Sequence, residues 1–394
     1  MIRVGFFLNV SGQVWLGGTS YFRNLLTALA DLPERRTQTV LLTGSKSPPE
    51  LLAALPATDW SRPPSLQRYG ARWVARKLLA ALSDRDRLLE RDLLALNIDA
   101  LSHSGHLGAG ARIPALAWIA DFQHLRLPQN FSAQQRRSRD LHYGKLCRYA
   151  ARIIVSSHSA GEDLARFFPQ AIPKIRVLQF VANVPDPETL SPRKALERKY
   201  AFSGRYFFLP NQFWVHKNHR VVLDALSLLK LQGKTLTVLA SGKTADDRDH
   251  GHFGRLMRHA DALGVAGQFR VLGLIPQMDL MALQWHSVAV INPSRFEGWS
   301  TTVEEAKSLG VPAIVSDIDV HREQQPPSGA YFGPDDAEKL AELMWREWDS
   351  EATEARRVLA EQARRQLAGR RREFARRFES YVMECVAQPQ EADR

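Results

Sequence analysis

Ile291-Asn292-Pro293-Ser294-Arg295-Phe296-Glu297-Gly298-Trp299-Ser300-Thr301-Thr302-Val303-Glu304-Glu305-Ala306 is the stretch on which the fold of this chain turns. The apolar, β-branched run at residues 288–291 predicts a buried strand ending at Ile291. A loop then carries Glu297 and Gly298, and a helix begins around residues 300–302. Free backbone N–H groups at such a helix start suit a diphosphate, and Ser300, Thr301 and Thr302 add hydroxyl donors. Glu297 falls in the loop and Glu305 on the first or second helical turn, with seven residues between them. Two glutamates alone carry little, because the helix dipole already favours an acidic residue near a helix start. Their placement on a strand, a loop and a helix gives the pair its weight.

The same alternation runs outward in both directions. In the second half, strands are predicted at residues 206–209, 236–239, 269–272, 288–291 and 313–315, with helices at 220–232, 251–262, 279–286 and 303–309. In the first half, strands are predicted at 4–10, 39–42, 113–119 and 152–155, with helices at 21–30, 70–82 and 159–168. Strand and helix repeated this way predict an α/β fold with parallel sheets covered on both faces. The Pro-rich segment Asn183-Val184-Pro185-Asp186-Pro187, with Pro192 nearby, is the linker candidate. The expected domains are residues 1–185, residues 186–365, and a C-terminal helix over 366–394 packing back towards the first domain. An Arg-rich helical pattern runs over 337–386, and most of its charges read as a solvated face.

The length of 394 residues suits two cores rather than one. A hydrophobic share of 44% and a charged share of 24% are ordinary for globular chains, so extensive disorder is excluded. No run approaches the roughly 18 apolar residues of a membrane span. Val4-Gly5-Phe6-Phe7-Leu8 is too short for a signal peptide's apolar region, and a cytoplasmic protein is expected. Cys147 and Cys385 provide neither a disulfide framework nor a metal quartet. The net charge of +11 favours anionic partners, either a nucleotide or a phospholipid surface. Without a finger, an RNP-type strand or a helix-turn-helix, nucleic acid is not an expected partner.

Three further segments follow predicted strands, where open α/β sheets bind ligands. Asn211, His216 and Lys217 lie in Phe208-Leu209-Pro210-Asn211-Gln212-Phe213-Trp214-Val215-His216-Lys217-Asn218-His219. Gly17-Gly18-Thr19-Ser20 follows the first strand, and two glycines let backbone pass close to a ligand or simply make a tight turn. Trp118-Ile119-Ala120-Asp121-Phe122-Gln123-His124 follows another.

With Glu297 and Glu305, the continuation Ala306-Lys307-Ser308-Leu309-Gly310-Val311-Pro312-Ala313-Ile314-Val315-Ser316 resembles the retaining family-4 glycosyltransferases of the GT-B fold and their E-x7-E motif. The resemblance spans nearly the whole chain and is tightest over residues 206–334. It implies two Rossmann-like domains with a cleft between them. It also implies a nucleoside-diphosphate-sugar donor, a saccharide or lipid-linked saccharide acceptor, and no further cofactor or metal. Glu297 would contact the transferred sugar, and Glu305 the ribose hydroxyls. Gly298, Trp299, Ser300, Thr301 and Thr302 would line the donor site. Lys217 would neutralise the diphosphate. Asn211 stands where the family carries an arginine, so His216, Lys243 or Arg295 would have to compensate. Gly17 and Gly18 would face donor and acceptor, and Ile275 would meet the nucleobase through its backbone. Ala120 takes the place of a family histidine that touches the donor sugar. His124 could reach that space, and Asp121 could orient or deprotonate the acceptor hydroxyl.

Rival readings leave marks of their own. A metal-dependent transferase would use a D-x-D motif, and Asp84-Arg85-Asp86, Asp247-Arg248-Asp249 and Asp317-Ile318-Asp319 have that form. A non-catalytic nucleotide-sugar binder or scaffold protein of the same fold is the other alternative. A dinucleotide enzyme would need G-x-G-x-x-G after a strand, which is missing. Trp73, Val74, Lys77 and Leu78 recur at helical spacing beside Arg68, Arg72 and Arg76. That helix either rests on an anionic membrane surface or faces its own core.

Overall fold

A computed structural model describes residues 1–8, 16–44, 55–56, 59–103, 105–350 and 353–387. The chain divides into two compact units. One comprises Met1–Leu125, Ser132–Val181 and Arg370–Arg394, and the other Arg126–Phe131 and Ala182–Gly369.

The first unit is built on a parallel sheet of β1 (Ile2–Leu8), β2 (Thr37–Thr43), β3 (Asp59–Ser61), β4 (Ala100–Ser102), β5 (Ala115–Ile119), β6 (Arg152–Val155) and β7 (Ile175–Val177). Their order is β3-β2-β1-β4-β5-β6-β7. Val40, Leu41 and Leu42 are all buried, as expected where helices cover both faces and no polar alternation is needed. β4 is the middle strand, yet its three residues are too few to show a pattern in the sequence. The helix Leu16–Ala30 starts at Leu16 rather than at residue 21, so Gly17 and Gly18 lie within its first turn instead of in a preceding loop. Burial of Tyr21, Phe22, Leu25, Leu26 and Leu29 on one face offsets the roughly 1 kcal/mol each glycine costs a helix.

The second unit repeats the plan with β8 (Phe207–Leu209), β9 (Val238–Ala240), β10 (Phe269–Val271), β11 (Val290–Asn292), β12 (Ala313–Ser316) and β13 (Ala330–Phe332). These parallel strands run in the order β10-β9-β8-β11-β12-β13. Phe207, Phe208 and Phe213 are fully buried, each burial contributing about 1.5–3 kcal/mol. Two doubly wound Rossmann-like sheets are thus present, as the sequence alternation predicts. In the second unit the strand order reverses between β8 and β11. The crevice at the carboxyl ends of two such strands is where doubly wound sheets take ligands.

The C-terminal helical pattern is interrupted. One helix spans Ala337–Asp349 and a second Thr353–Ala387, because Ser350 leaves helical geometry at ψ 131°. Not all of its arginines are solvated, since the Arg356 guanidinium donates to the carbonyls of Ser287 and Trp285. Gly310 ends the helix Thr301–Leu309 at φ 72°, and a Cβ there would lie 2.5 Å from Ala360 Cα. Only glycine satisfies both the left-handed backbone and that approach.

Candidate active site

The loops after β8 and β11 form the site, and hydrogen bonds lace them together. The Arg295 amide donates to the His216 carbonyl at 2.8 Å. Asn218, itself left-handed at φ 54°, donates its amide to the carbonyls of Pro293 at 3.1 Å and Pro334 at 2.7 Å. Lys217 and Glu297, 80 positions apart in sequence, are thereby brought into contact, with Lys217 Nζ donating to Glu297 Oε1 at 2.5 Å. Ser294 Oγ donates to the same oxygen at 2.7 Å. Burial pushes the Glu297 carboxyl up, but the Lys217 charge and these two hydrogen bonds outweigh it and hold the group below its usual range. The side chains keep 15% and 10% of their exposure, so a ligand can reach the pair.

Ser300 caps the helix Thr301–Leu309 by accepting from the Val303 amide at 3.3 Å. Gln324 clamps Ser300 in turn, accepting its N–H at 3.1 Å and donating to its carbonyl at 3.0 Å. The cap leaves the Thr301 and Thr302 amides unbonded by Ser300, and these first-turn donors with the helix dipole favour an anion. Thr302 is itself buried, and its hydroxyl lies 3.2 Å from Asn211 Oδ1.

Asn211, in the place of the family's arginine, faces the protein's own polar groups. It is buried, its Nδ2 donates to Asn292 Oδ1 at 3.0 Å, and its Oδ1 accepts from Thr302. Both ends of the amide serve a polar network, because a short buried side chain must satisfy its hydrogen bonds locally. Of the candidate compensating groups, Arg295 is paired with Asp335 and His216 is a buried ring whose pKa burial pushes well below the usual value. Lys243 is the freer cation, with Nζ 3.8 Å from Asp247 and more than a third of its side chain exposed.

Glu305 lies one helical turn deeper and has no cation beside it. Its oxygens accept from Gln277 Nε2 at 3.4 Å and Gln284 Nε2 at 3.2 Å, and burial raises its carboxyl to about 7. Half-buried Ile275 packs on the core below this helix, while Gly298 and Trp299 are partly exposed beside Glu297. Residues 196–366 match the family model described as glycosyl transferases group 1. The matched segment holds Asn211, His216, Lys217, Ile275 and the whole Glu297-to-Glu305 stretch. No curated protein matches the chain. Among solved structures, a glycosyltransferase from Rickettsia africae aligns with a TM-score of 0.71 at 16% identity, covering 98% of this chain and 99% of its own. HepE from Anabaena, solved with UDP and glucose, aligns at 0.66 and 16% identity, covering 97% and 100%. WaaG, a glycosyltransferase involved in lipopolysaccharide biosynthesis, aligns at 0.60 and 14% identity, covering 98% and 100%. The fold is the GT-B fold of these structures.

In the first unit, Asp121 accepts from the Gln123 amide at 3.0 Å and so caps the short helix Gln123–Arg126. His124, proposed from the sequence to reach the space of the family's sugar-contacting histidine, lies in the short helix Gln123–Arg126. It is fully buried, with Nε2 3.0 Å from Asp140 Oδ1 and its ring edge-on to Tyr143. The short helix turns its ring inward, against the Asp140 carboxylate and the Tyr143 ring.

Each of the three D-x-D segments has an aspartate paired with a basic side chain, Asp249 with Arg255 in the second. Asp84 bonds Tyr149 and Lys145, Asp86 caps the helix Arg87–Ala95 and pairs with Arg76, and Asp317 is gripped by Arg322 through both oxygens. Sequence inspection missed Gln284, Gln324 and His321. All three are polar residues buried on their helices, Gln284 beside Met281, Ala282 and Leu283, and His321 and Gln324 beside Val320. His321 Nδ1 donates to the Ser316 carbonyl at 2.9 Å, and its field reaches Glu297.

Proposed function

We propose that this chain is a retaining, metal-independent glycosyltransferase. It would move a sugar from a nucleoside-diphosphate-sugar to a hydroxyl of a saccharide or glycolipid acceptor, in the synthesis of cell-surface polysaccharide or glycoconjugate. The observation that carries the proposal is the Lys217–Glu297 pair beside an open helix start, at the switch point of a unit matching glycosyl transferases group 1. The UDP and glucose held by HepE and the lipopolysaccharide role of WaaG support the donor and acceptor classes.

In this mechanism the bond between the sugar's anomeric carbon and the diphosphate oxygen breaks first. An oxocarbenium-like sugar results, and the acceptor hydroxyl adds from the face the diphosphate leaves. The acceptor's proton passes to the departing phosphate oxygen. Lys217 and the Thr301 and Thr302 amides stabilise the charge growing on the leaving group. Such preorganised donors are worth about 3–4 kcal/mol each. Glu297, kept ionised by Lys217, receives hydroxyls of the transferred sugar, and Glu305 receives those of the ribose. Asp121 orients the acceptor hydroxyl.

A binding module without transfer is the second reading, favoured by the commitment of Asn211 to its network, which thins the positive charge at the diphosphate. The site of action proposed is the cytoplasmic face of an anionic membrane. The helix Ala71–Ser83 exposes Val74, Leu78, Leu79 and Leu82 beside Lys77, a pattern of interfacial helices, and among the described residues no helix is long and apolar enough to cross a bilayer. A thermal-shift panel of UDP-, GDP-, ADP- and dTDP-sugars tests donor binding. Ligand at about 100 times its Kd stabilises by roughly 2.7 kcal/mol, and the absence of any shift across the panel overturns the proposal. Sugar transfer to acceptor, or slow donor hydrolysis, separates the enzyme from the binding module.

A further inference from the structure

A cavity in the first unit, bordered by the helix Ala71–Ser83, is separate from the candidate active site. Its volume is about 380 Å³, within the range of pockets that enclose small ligands. Phe7 and Leu42, paired in register near the carboxyl ends of β1 and β2, contribute to its lining with Leu66 and the half-buried ring of Trp73. Arg68, Arg76 and Lys77 complete the lining, and no acidic side chain belongs to it among the described residues.

The three cations are not equivalent. Arg76 is neutralised by Asp86 at 2.6 Å and also donates to the Ser65 carbonyl at 3.3 Å, so it holds the wall together. Arg68 and Lys77 are exposed and have no ion-pair partner among the described residues. Arg68 sits over the Tyr69 ring, 4.9 Å from its centroid, and Lys77 lies 5.9 Å from that of Trp73. Ring contacts of this kind orient a cation without cancelling its charge. Among the described residues, two positive groups without an ion-pair partner therefore stand beside an apolar, partly aromatic lining. A bare inorganic ion leaves that lining unused, and a neutral sugar leaves the charges unused.

We propose that this cavity binds a phosphate ester, with the phosphate between Arg68 and Lys77 and the ester's organic body against Trp73 and Leu66. The identification of that ester as the acceptor rests on the glycosyltransferase reading. It narrows the acceptor class to a saccharide or lipid that carries phosphate. Its position suits the role, because open α/β sheets receive ligands at their strands' carboxyl ends.

Isothermal titration with hexyl phosphate and with hexanol tests this on the full chain, using the wild type and the double variant R68Q/K77Q. Both substituted residues are exposed and belong to the first unit, whereas Lys217, Glu297 and Glu305 belong to the second, so UDP-sugar thermal shifts serve as the control for folding. The wild type is expected to bind hexyl phosphate and not hexanol, and the variant to bind it at least about tenfold more weakly. Co-sedimentation then separates two sources of the ester. Retention on phosphatidic acid vesicles but not on phosphatidylcholine, lost in R68Q/K77Q and displaced by hexyl phosphate, marks a lipid phosphate in the cavity, whereas retention that hexyl phosphate does not displace belongs to the exposed face of the helix Ala71–Ser83 and leaves the ester a soluble one. Hexyl phosphate binding without retention marks a soluble one. Equal binding of hexanol, or unchanged binding by the variant, overturns the proposal. If UDP-sugars bind and hexyl phosphate does not, the pocket fails while the donor reading stands. If hexyl phosphate binds and no nucleotide-sugar does, the donor reading fails while the pocket stands.

Discussion

Donor affinity should rise with pH through neutrality, because Glu305 must lose a proton to serve the ribose. In the free protein its carboxyl is buried between two amides with no cation, and titrates at about 7. Ribose hydroxyls donate to a carboxylate, so binding favours the ionised form and releases the proton held below that pH. One unit below 7 about ten sites in eleven are protonated, and one unit above only about one in eleven. Affinity at pH 6 is therefore expected to be about tenfold lower than at pH 8, a difference near 1.4 kcal/mol. The nearby rings of His216 and His321 do not supply this slope, since burial drives both below the usual histidine range. The ligand should be an intact nucleotide-sugar, whose diphosphate has no proton to exchange near neutrality. Calorimetry in buffers of different ionisation enthalpy would read close to one proton released per ligand at pH 6 and almost none at pH 8. Glu305→Gln should abolish both the release and the slope. Flat affinity between pH 6 and 8, or a slope that survives in the variant, would refute the assignment.

The remaining predictions concern neighbouring groups. Lys217→Ala should lower turnover about a hundred- to a thousandfold while circular dichroism stays native; near-normal turnover by the folded variant removes its role at the leaving group. Gln284→Leu deletes the buried donor at 3.2 Å from Glu305 and should shift the pH-dependent binding step further upward, which the same calorimetry detects. Transfer in excess EDTA should keep most of its rate, and loss with rescue by Mn²⁺ or Mg²⁺ would show that a metal does what Lys217 and the helix start are proposed to do. Glu379→Ala should cost the first unit roughly 3 kcal/mol or more of stability. It strands three donors, the amides of Arg36 and Thr37 and the Thr37 hydroxyl, each 2.8 Å from the carboxylate, and an unchanged melting temperature would contradict that.

Local chemistry made much of the second unit legible. Apolar runs of strand length, Gly and Pro punctuation and a Ser-Thr-Thr helix start depend only on neighbours in the chain, so strand, loop and helix around Glu297 could be placed before any fold was known. The same holds for Lys217 after β8. The three-residue β4 could not be placed, because its burial comes from β1 and β5 on either side rather than from a pattern of its own. Nor could the outward reach of the helix to Leu16, which tertiary packing imposes against two glycines. The states of the site residues are likewise tertiary facts. Lys217 meets Glu297 across 80 positions, Asn211 turns into a network with Asn292 and Thr302, and Glu305 is raised by burial among amides contributed by another helix. Side-chain identity sets which bonds and charges are possible. Which partner each group finds, and how much water is left beside it, depends on segments that meet only when the sheet has formed. That is why the sequence places His124 only near a strand end, while the fold buries it fully against Asp140.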